Sequence, residues 1–251
     1  MPARLSLIEP ASLPHVWRVE DLACQEAVLP TGHAALDAQL PGGGWPVGSM
    51  VEVLQERAGP HLWQLLLPGL AQAVRKQAGP VVLVNAPFEP FGPSLVAQGL
   101  PGERLLCIKA DKPAARLWAA EQALRCADVA ALLAWLPQAR SAELRRLHMA
   151  AQQQDRLLFV FRGLNARHDA SPARLRLLLE GVDQLELHIL KRRGPPLETA
   201  LALPGHSARL VALLEARKRR GSGTLSTALL PAPVVPLPRR SHVLDRTAAL
   251  T

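Results

Sequence analysis

At 251 residues and 49% hydrophobic, the chain can bury one large core and still has residues left for appendages. Its 29 Lys and Arg against 21 Asp and Glu give a net charge of +8, and most of that excess lies in residues 215–251. Three cysteines at unrelated spacings, Cys24, Cys107 and Cys126, exclude a disulfide framework and a zinc site, and Arg4, Glu9, Pro10 and Pro14 interrupt the first residues too often for a signal peptide or a membrane span. A cytoplasmic compartment is expected.

In chain order, residues 1–28 read as an N-terminal segment, 29–214 as a core domain and 215–251 as a tail. Within the core, short apolar strands alternate with amphipathic helices. The strands are expected at Met50–Leu54, Val81–Asn85, Leu105–Lys109, Val129–Trp135 and Leu157–Phe161, and the helices at Trp63–Gln77, Pro90–Gln98, Pro113–Cys126 and Ser141–Gln154. In the last helix Leu144, Leu147 and Ala151 share one face while Arg145, Arg146 and Gln153 look outward. A short helix at Ala173–Glu180 then precedes Asp183–Leu190, a turn at Lys191–Gly194 and Glu198–Leu203, which read as an antiparallel hairpin. The pattern predicts an α/β fold, a mostly parallel sheet with helices on both faces and the hairpin closing its C-terminal edge. Trp45, Trp63, Trp118 and Trp135 fall in core-like stretches and are expected to pack there. With no Tyr and only four Phe, an aromatic nucleic-acid platform is not expected.

The first strand feeds a loop and a helix, the place for a phosphate-binding loop. Such a loop needs glycine amides, a Lys to reach the β/γ oxygens and a Ser or Thr for Mg²⁺. The chain supplies one glycine, Gly59, then Pro60 with no N–H to donate, then His61 and Leu62.

The run Leu29–Leu54, with its Thr-Gly, Leu36-Asp37 and glycine-rich turn, resembles the recombinase segment that leads into the phosphate loop. Val182–Glu198 is similar to the basic hairpin late in the RecA core. With the opening His15–Leu22 and the emptied loop, the chain resembles the ImuA family over about residues 13 to 205. The resemblance implies a RecA-like P-loop core and an accessory role in bacterial translesion DNA synthesis during the SOS response. It implies as partner ImuB, an inactive Y-family polymerase paralogue, and through it the error-prone C-family replicative polymerase; RecA is a further candidate.

Carried over position by position, the resemblance yields mostly absences. The P-loop Lys falls on His61, the Mg²⁺ hydroxyl on Leu62, the Walker B carboxylate on Trp135 or Ala134, and the catalytic Glu near Pro87, with Glu89 the nearest carboxylate. Phosphoryl transfer has nothing to stabilise its developing charge, so neither catalysis, a nucleotide cofactor nor a metal is expected. The first DNA loop shrinks to Pro137–Arg140 and the second to Arg162–Ser171. Residual weak, non-specific DNA contact is assigned to Arg162, Arg167 and the turn Lys191, Arg192 and Arg193.

The tail concentrates cations: Arg217, Lys218, Arg219, Arg220, Arg239, Arg240 and Arg246 against Glu215 and Asp245. Four prolines and Gly221-Ser222-Gly223 exclude a regular helix, so it reads as a mobile basic tail. Leu229, Leu230, Val234, Val235 and Leu237 lie among the prolines, and both a partner-docking strip and a plain disordered tail remain open. Two functional classes compete: a non-catalytic mutasome subunit, and a SulA-type cell-division inhibitor that binds the tubulin-like division protein. No membrane role is expected.

Overall fold

The computed structural model describes residues 27–57, 59, 61–181 and 185–203. A small lead-in module comes first. Strand β1 (Val28–Leu29) pairs antiparallel with β2 (Trp45–Pro46), and between them lie α1 (Ala34–Asp37) and a 3₁₀ turn at Pro41–Gly43. Thr31 sets this geometry: its amide donates to the Asp37 carboxylate at 2.9 Å and its hydroxyl accepts the His33 amide at 3.0 Å. These local bonds offer the backbone an alternative to continuing a regular ladder. Leu36, Leu40 and Trp45 are thereby directed into the core, where Trp45 meets Phe159 edge to face at 5.3 Å.

The main sheet has eight strands: β3 (Ser49–Gln55), β4 (Val81–Val84), β5 (Leu105–Ile108), β6 (Ala131–Trp135), β7 (Leu157–Arg162), β8 (Leu175–Glu180), β9 (Leu185–Lys191) and β10 (Leu201–Leu203). Their spatial order is β10-β9-β8-β3-β7-β6-β4-β5. Every neighbouring pair from β8 to β5 is parallel, whereas β9 runs antiparallel to β8 and β10 to β9. The crossovers carry α2 (His61–Lys76), α3 (Gly92–Ala97), α4 (Pro113–Arg125) and α5 (Ser141–Gln153). Helices therefore cover both faces, which is why β3, β4, β6 and β7 are apolar almost throughout rather than alternating.

Strand periodicity sorts the core into two layers. Val51, Val53, Leu83, Leu133 and Phe159 face α2, while Met50, Val82, Leu132 and Val160 face α4 and α5. Each fully buried aliphatic side chain in these layers contributes about 1.5–3 kcal/mol relative to exposure.

Two expectations are corrected. Residues 173–180 do not form a helix: Leu175–Glu180 is strand β8, parallel to β3 with Val53 opposite Leu177. Leucine favours helices in isolation, but Leu175, Leu177 and Leu179 fall on one face at period two and complete the α2 layer. Trp118, expected in the core, stands 64% exposed on α4 because Ala119, Ala120, Ala123 and Leu124 occupy the buried side of that helix. The expected antiparallel edge, the five expected strands and the four expected helices fall within about three residues of the expected bounds, whereas β1, β2 and α1 were not anticipated. Among the described residues, no helix is long and apolar enough to cross a membrane.

Candidate functional site

At the centre of the sheet, β3 ends at Gln55, a loop follows, and α2 opens at His61. Gly59 is not packed closely; a Cβ there would meet nothing nearer than the Arg57 carbonyl oxygen at 4.0 Å. His61 Nδ1 donates to Gln64 Oε1 at 2.8 Å, a contact within the first turn of the helix. Leu62, where the resemblance puts the Mg²⁺ hydroxyl, is 4% exposed and belongs to the core. A cavity of ≈ 350 Å³ lies against this turn, and Glu56 and Glu180 line it together with Arg57 and His61. Two carboxylates beside one guanidinium repel phosphate instead of drawing it in.

Trp135 ends β6 with its ring stacked on Phe161, centroids 4.5 Å apart and planes at 24°. The resemblance puts the metal-holding carboxylate at this residue or at Ala134. Glu89 sits at the surface and pairs with Lys109 at 3.2 Å. No group of three His, Cys, Asp or Glu converges as a metal site among the described residues.

Charge in the interior is concentrated elsewhere. Glu52, fully buried in β3, accepts from Arg162 Nη1 at 3.0 Å and from Arg176 Nε at 2.6 Å. Arg162 also pairs with Asp169 at 2.8 Å, and Arg176 Nη2 donates to the Ala166 carbonyl at 2.8 Å. Arg162, expected as a surface cation for phosphate, is thus a buried structural group, because the Glu52 carboxylate draws its guanidinium beneath the loop. Arg167 and His168 remain exposed on the 3₁₀ turn Leu164–His168 above it. The sequence reading passed over Glu52. A lone carboxylate in the buried run Ser49–Gln55 was the available signal, since such a group demands a cationic partner.

The basic turn follows β9. Lys191 closes β9 and its Nζ donates to the Ser171 carbonyl at 3.1 Å. Arg192 Nε donates to the Pro195 carbonyl at 2.8 Å and its Nη1 to Gln39 Oε1 at 3.2 Å, tying the turn to the lead-in module. These residues, with Arg193 and Arg174, border a groove of ≈ 400 Å³ whose walls include Leu40, Pro41, Pro46 and Pro172. The Arg167 carbonyl accepts from Arg176 Nη1 at 3.3 Å, and Arg176 lies opposite Lys191 across β8 and β9. The tail candidates Arg217, Lys218, Arg219, Arg220, Arg239 and Arg240, and Leu229, Leu230, Val234, Val235 and Leu237, lie outside the described residues.

Fold and site together define an α/β protein with a mostly parallel sheet, helices on both faces and an antiparallel edge. The family model of the cell division inhibitor SulA matches residues 48–157. The chain is 32% identical to the cell division inhibitor SulA of Edwardsiella piscicida over 107 residues, 43% of this chain and 64% of that protein. It is 31% identical to Protein ImuA of Caulobacter vibrioides, in strains NA1000 / CB15N and ATCC 19089, over 134 residues, 51% of this chain and 54% of those proteins. The matches thus span less than two thirds of the length of these curated relatives. The chain is related to the SulA and ImuA proteins.

Proposed function

We propose that the chain is a non-catalytic, RecA-like accessory subunit of a bacterial translesion DNA synthesis assembly, acting in the cytoplasm as a protein-binding platform during the SOS response. The observation that carries this reading is the central β3–α2 turn. β3 and α2 meet at a turn in the middle of a parallel sheet, and by the resemblance His61, Leu62 and Trp135 stand for the cation, hydroxyl and carboxylate of a nucleotide-binding unit. A fold retained without catalytic groups functions through its surfaces. The likeness to Protein ImuA over 51% of the chain supports the translesion setting. By the same resemblance the partner is the inactive Y-family polymerase paralogue ImuB, which links the chain to the error-prone C-family polymerase. DNA is touched weakly, through the tail cations.

A second reading has an observation of its own. The SulA family model spans residues 48–157, from β3 to the start of β7, which supports a division-inhibitor role directed at the tubulin-like division protein. The longer match to ImuA and the basic tail favour the first reading. A co-purification with both candidates separates them. Capture of the polymerase paralogue is expected, and capture of the division protein alone overturns the translesion reading.

A further inference from the structure

The cavity of ≈ 350 Å³ at the β3–α2 turn is lined by a polar group that the fold does not use. Gln55, the last residue of β3, is 8% exposed and follows Val51 and Val53 on the α2 side of the strand at period two. Its side-chain amide makes no hydrogen bond among the described residues, so its partner has to come from the cavity side. Glu56 beside it is exposed and forms neither a hydrogen bond nor an ion pair among the described residues. Leu62, Leu164 and Leu179 add apolar surface to the same cavity. Glu180 also lines it but holds His188 at 3.1 Å, so it contributes negative field and is not counted as an open acceptor.

We infer that this cavity receives an arginine side chain of a partner protein. Glu56 accepts two guanidinium hydrogens, the Gln55 amide oxygen a third, and the three leucines cover the aliphatic stem. The inference rests on the reading of the chain as a protein-binding platform and gives that platform a seat at the central turn of the sheet.

Charge sets the sign of the ligand. An anion would meet Glu56 and Glu180. Against a cation stand the positive end of α2, equivalent to about half a charge, and Arg57. That side chain is exposed, unpaired among the described residues, and long enough to carry its charge out to water. Lysine fits less well, because an ammonium is a compact charge, whereas the planar guanidinium fork matches a carboxylate in two bonds and keeps donors for the amide. The volume lies near the low end of ligand cavities, about 300–1,000 Å³, and suits one long side chain. A net charge of +8 repels basic segments from the molecule as a whole, so attraction at this corner is local.

The experiment uses the full chain at physiological salt with three fluorescent probes: a twelve-residue peptide of Ser and Leu carrying two Arg, the same peptide with Lys, and the same with Glu. The Arg peptide is expected to bind most tightly, the Lys peptide at least threefold more weakly, and the Glu peptide not at all. Glu56→Gln should weaken the Arg peptide at least tenfold and Gln55→Leu at least threefold. Glu103→Gln, which removes an exposed carboxylate in the turn before β5, should leave it unchanged. Near-ultraviolet dichroism confirms an intact fold, and because Glu56 is exposed its variant carries the test even where Gln55→Leu disturbs the strand. No binding by the Arg peptide, equal binding of the Arg and Lys peptides, binding of the Glu peptide, or an equal loss in Glu56→Gln and Glu103→Gln overturns the proposal. Sedimentation checks the occupant: self-association that Glu56→Gln abolishes makes it a second copy of this chain and overturns the assignment to a partner. If the Glu56→Gln chain captures the polymerase paralogue as well as the unaltered chain does, the seat is wrongly placed and the platform reading stands. If the Arg peptide binds as expected and no polymerase paralogue is captured, the seat stands and the platform reading fails in its partner.

Discussion

His33 Nε2 donates to the carbonyl oxygen of Gln64 at 3.0 Å, and the reason lies four residues further along α2. Pro68 sits inside that helix and has no N–H with which to satisfy the Gln64 carbonyl. The imidazole of the lead-in module supplies the missing donor, and the backbone carbonyl fixes its tautomer with hydrogen on Nε2. His33→Ala is therefore expected to cost about 1–3 kcal/mol, the range for a buried acceptor left unpaired. In a Pro68→Ala background residue 68 donates for itself, so the same His33 change should cost clearly less. A double-mutant cycle by urea denaturation measures the difference; equal costs in both backgrounds would remove the compensation argument.

Glu52 is held between two guanidiniums with almost no solvent. Glu52→Gln should destabilise the fold by about 3–5 kcal/mol, because Arg162 and Arg176 are left as buried charges without their counterion. Replacing all three by apolar residues of similar volume should restore most of that loss. Guanidinium melts of the single and triple variants test it, and a triple variant less stable than Glu52→Gln contradicts the account.

The full chain should show no saturable, Mg²⁺-dependent binding of ATP at micromolar concentration. His61→Lys alone should not create it, since Leu62 faces the core and the resemblance puts the metal-holding carboxylate at Trp135, which is stacked on Phe161. Equilibrium dialysis with labelled ATP decides the matter. Binding that His61→Ala abolishes would reverse it.

His148 accepts a hydrogen bond from the Met50 amide through Nδ1 at 3.1 Å, which requires the neutral ring. Burial first, then Arg174 and Lys191, push its titration below the ordinary value of 6.5. The unfolded chain thus binds this proton more readily than the folded one. Its contribution to stability is complete above pH 6.5 and is lost as pH falls below that value toward the folded one. Melting temperature should drop between pH 7 and pH 5, and His148→Gln, whose amide oxygen can still accept from Met50, should flatten that part of the curve.

Periodicity located β3, β4, β6 and β7 because strands buried on both faces are unbroken apolar runs between turn residues. It failed at β8, where Leu175–Leu179 satisfies helix and strand patterns alike and only the long-range pairing with β3 decides. The turn between β3 and α2 was legible because an apolar strand, a Gly-Pro break and an amphipathic helix follow one another closely there. The roles of Arg162 and Arg176 were not, since their carboxylate lies in a strand more than a hundred residues away. The exposure of Trp118 was hidden for a related reason: the alanines of α4 define its buried side, and alanine carries little hydrophobic signal.

The position of β3 also shapes how the protein emerges from the ribosome. Both of its neighbours, β7 and β8, are encoded far downstream, and the Glu52–Arg176 bond spans 124 residues. At about 5–20 residues per second, the middle of the sheet waits roughly 6–25 s for its partners. Through that interval the nascent segment Ser49–Gln55 is an unpaired apolar strand of the sort that seeds aggregation, and its single charge, Glu52, is what keeps it from stacking on copies of itself. The carboxylate that later joins three strands is first a guard on one.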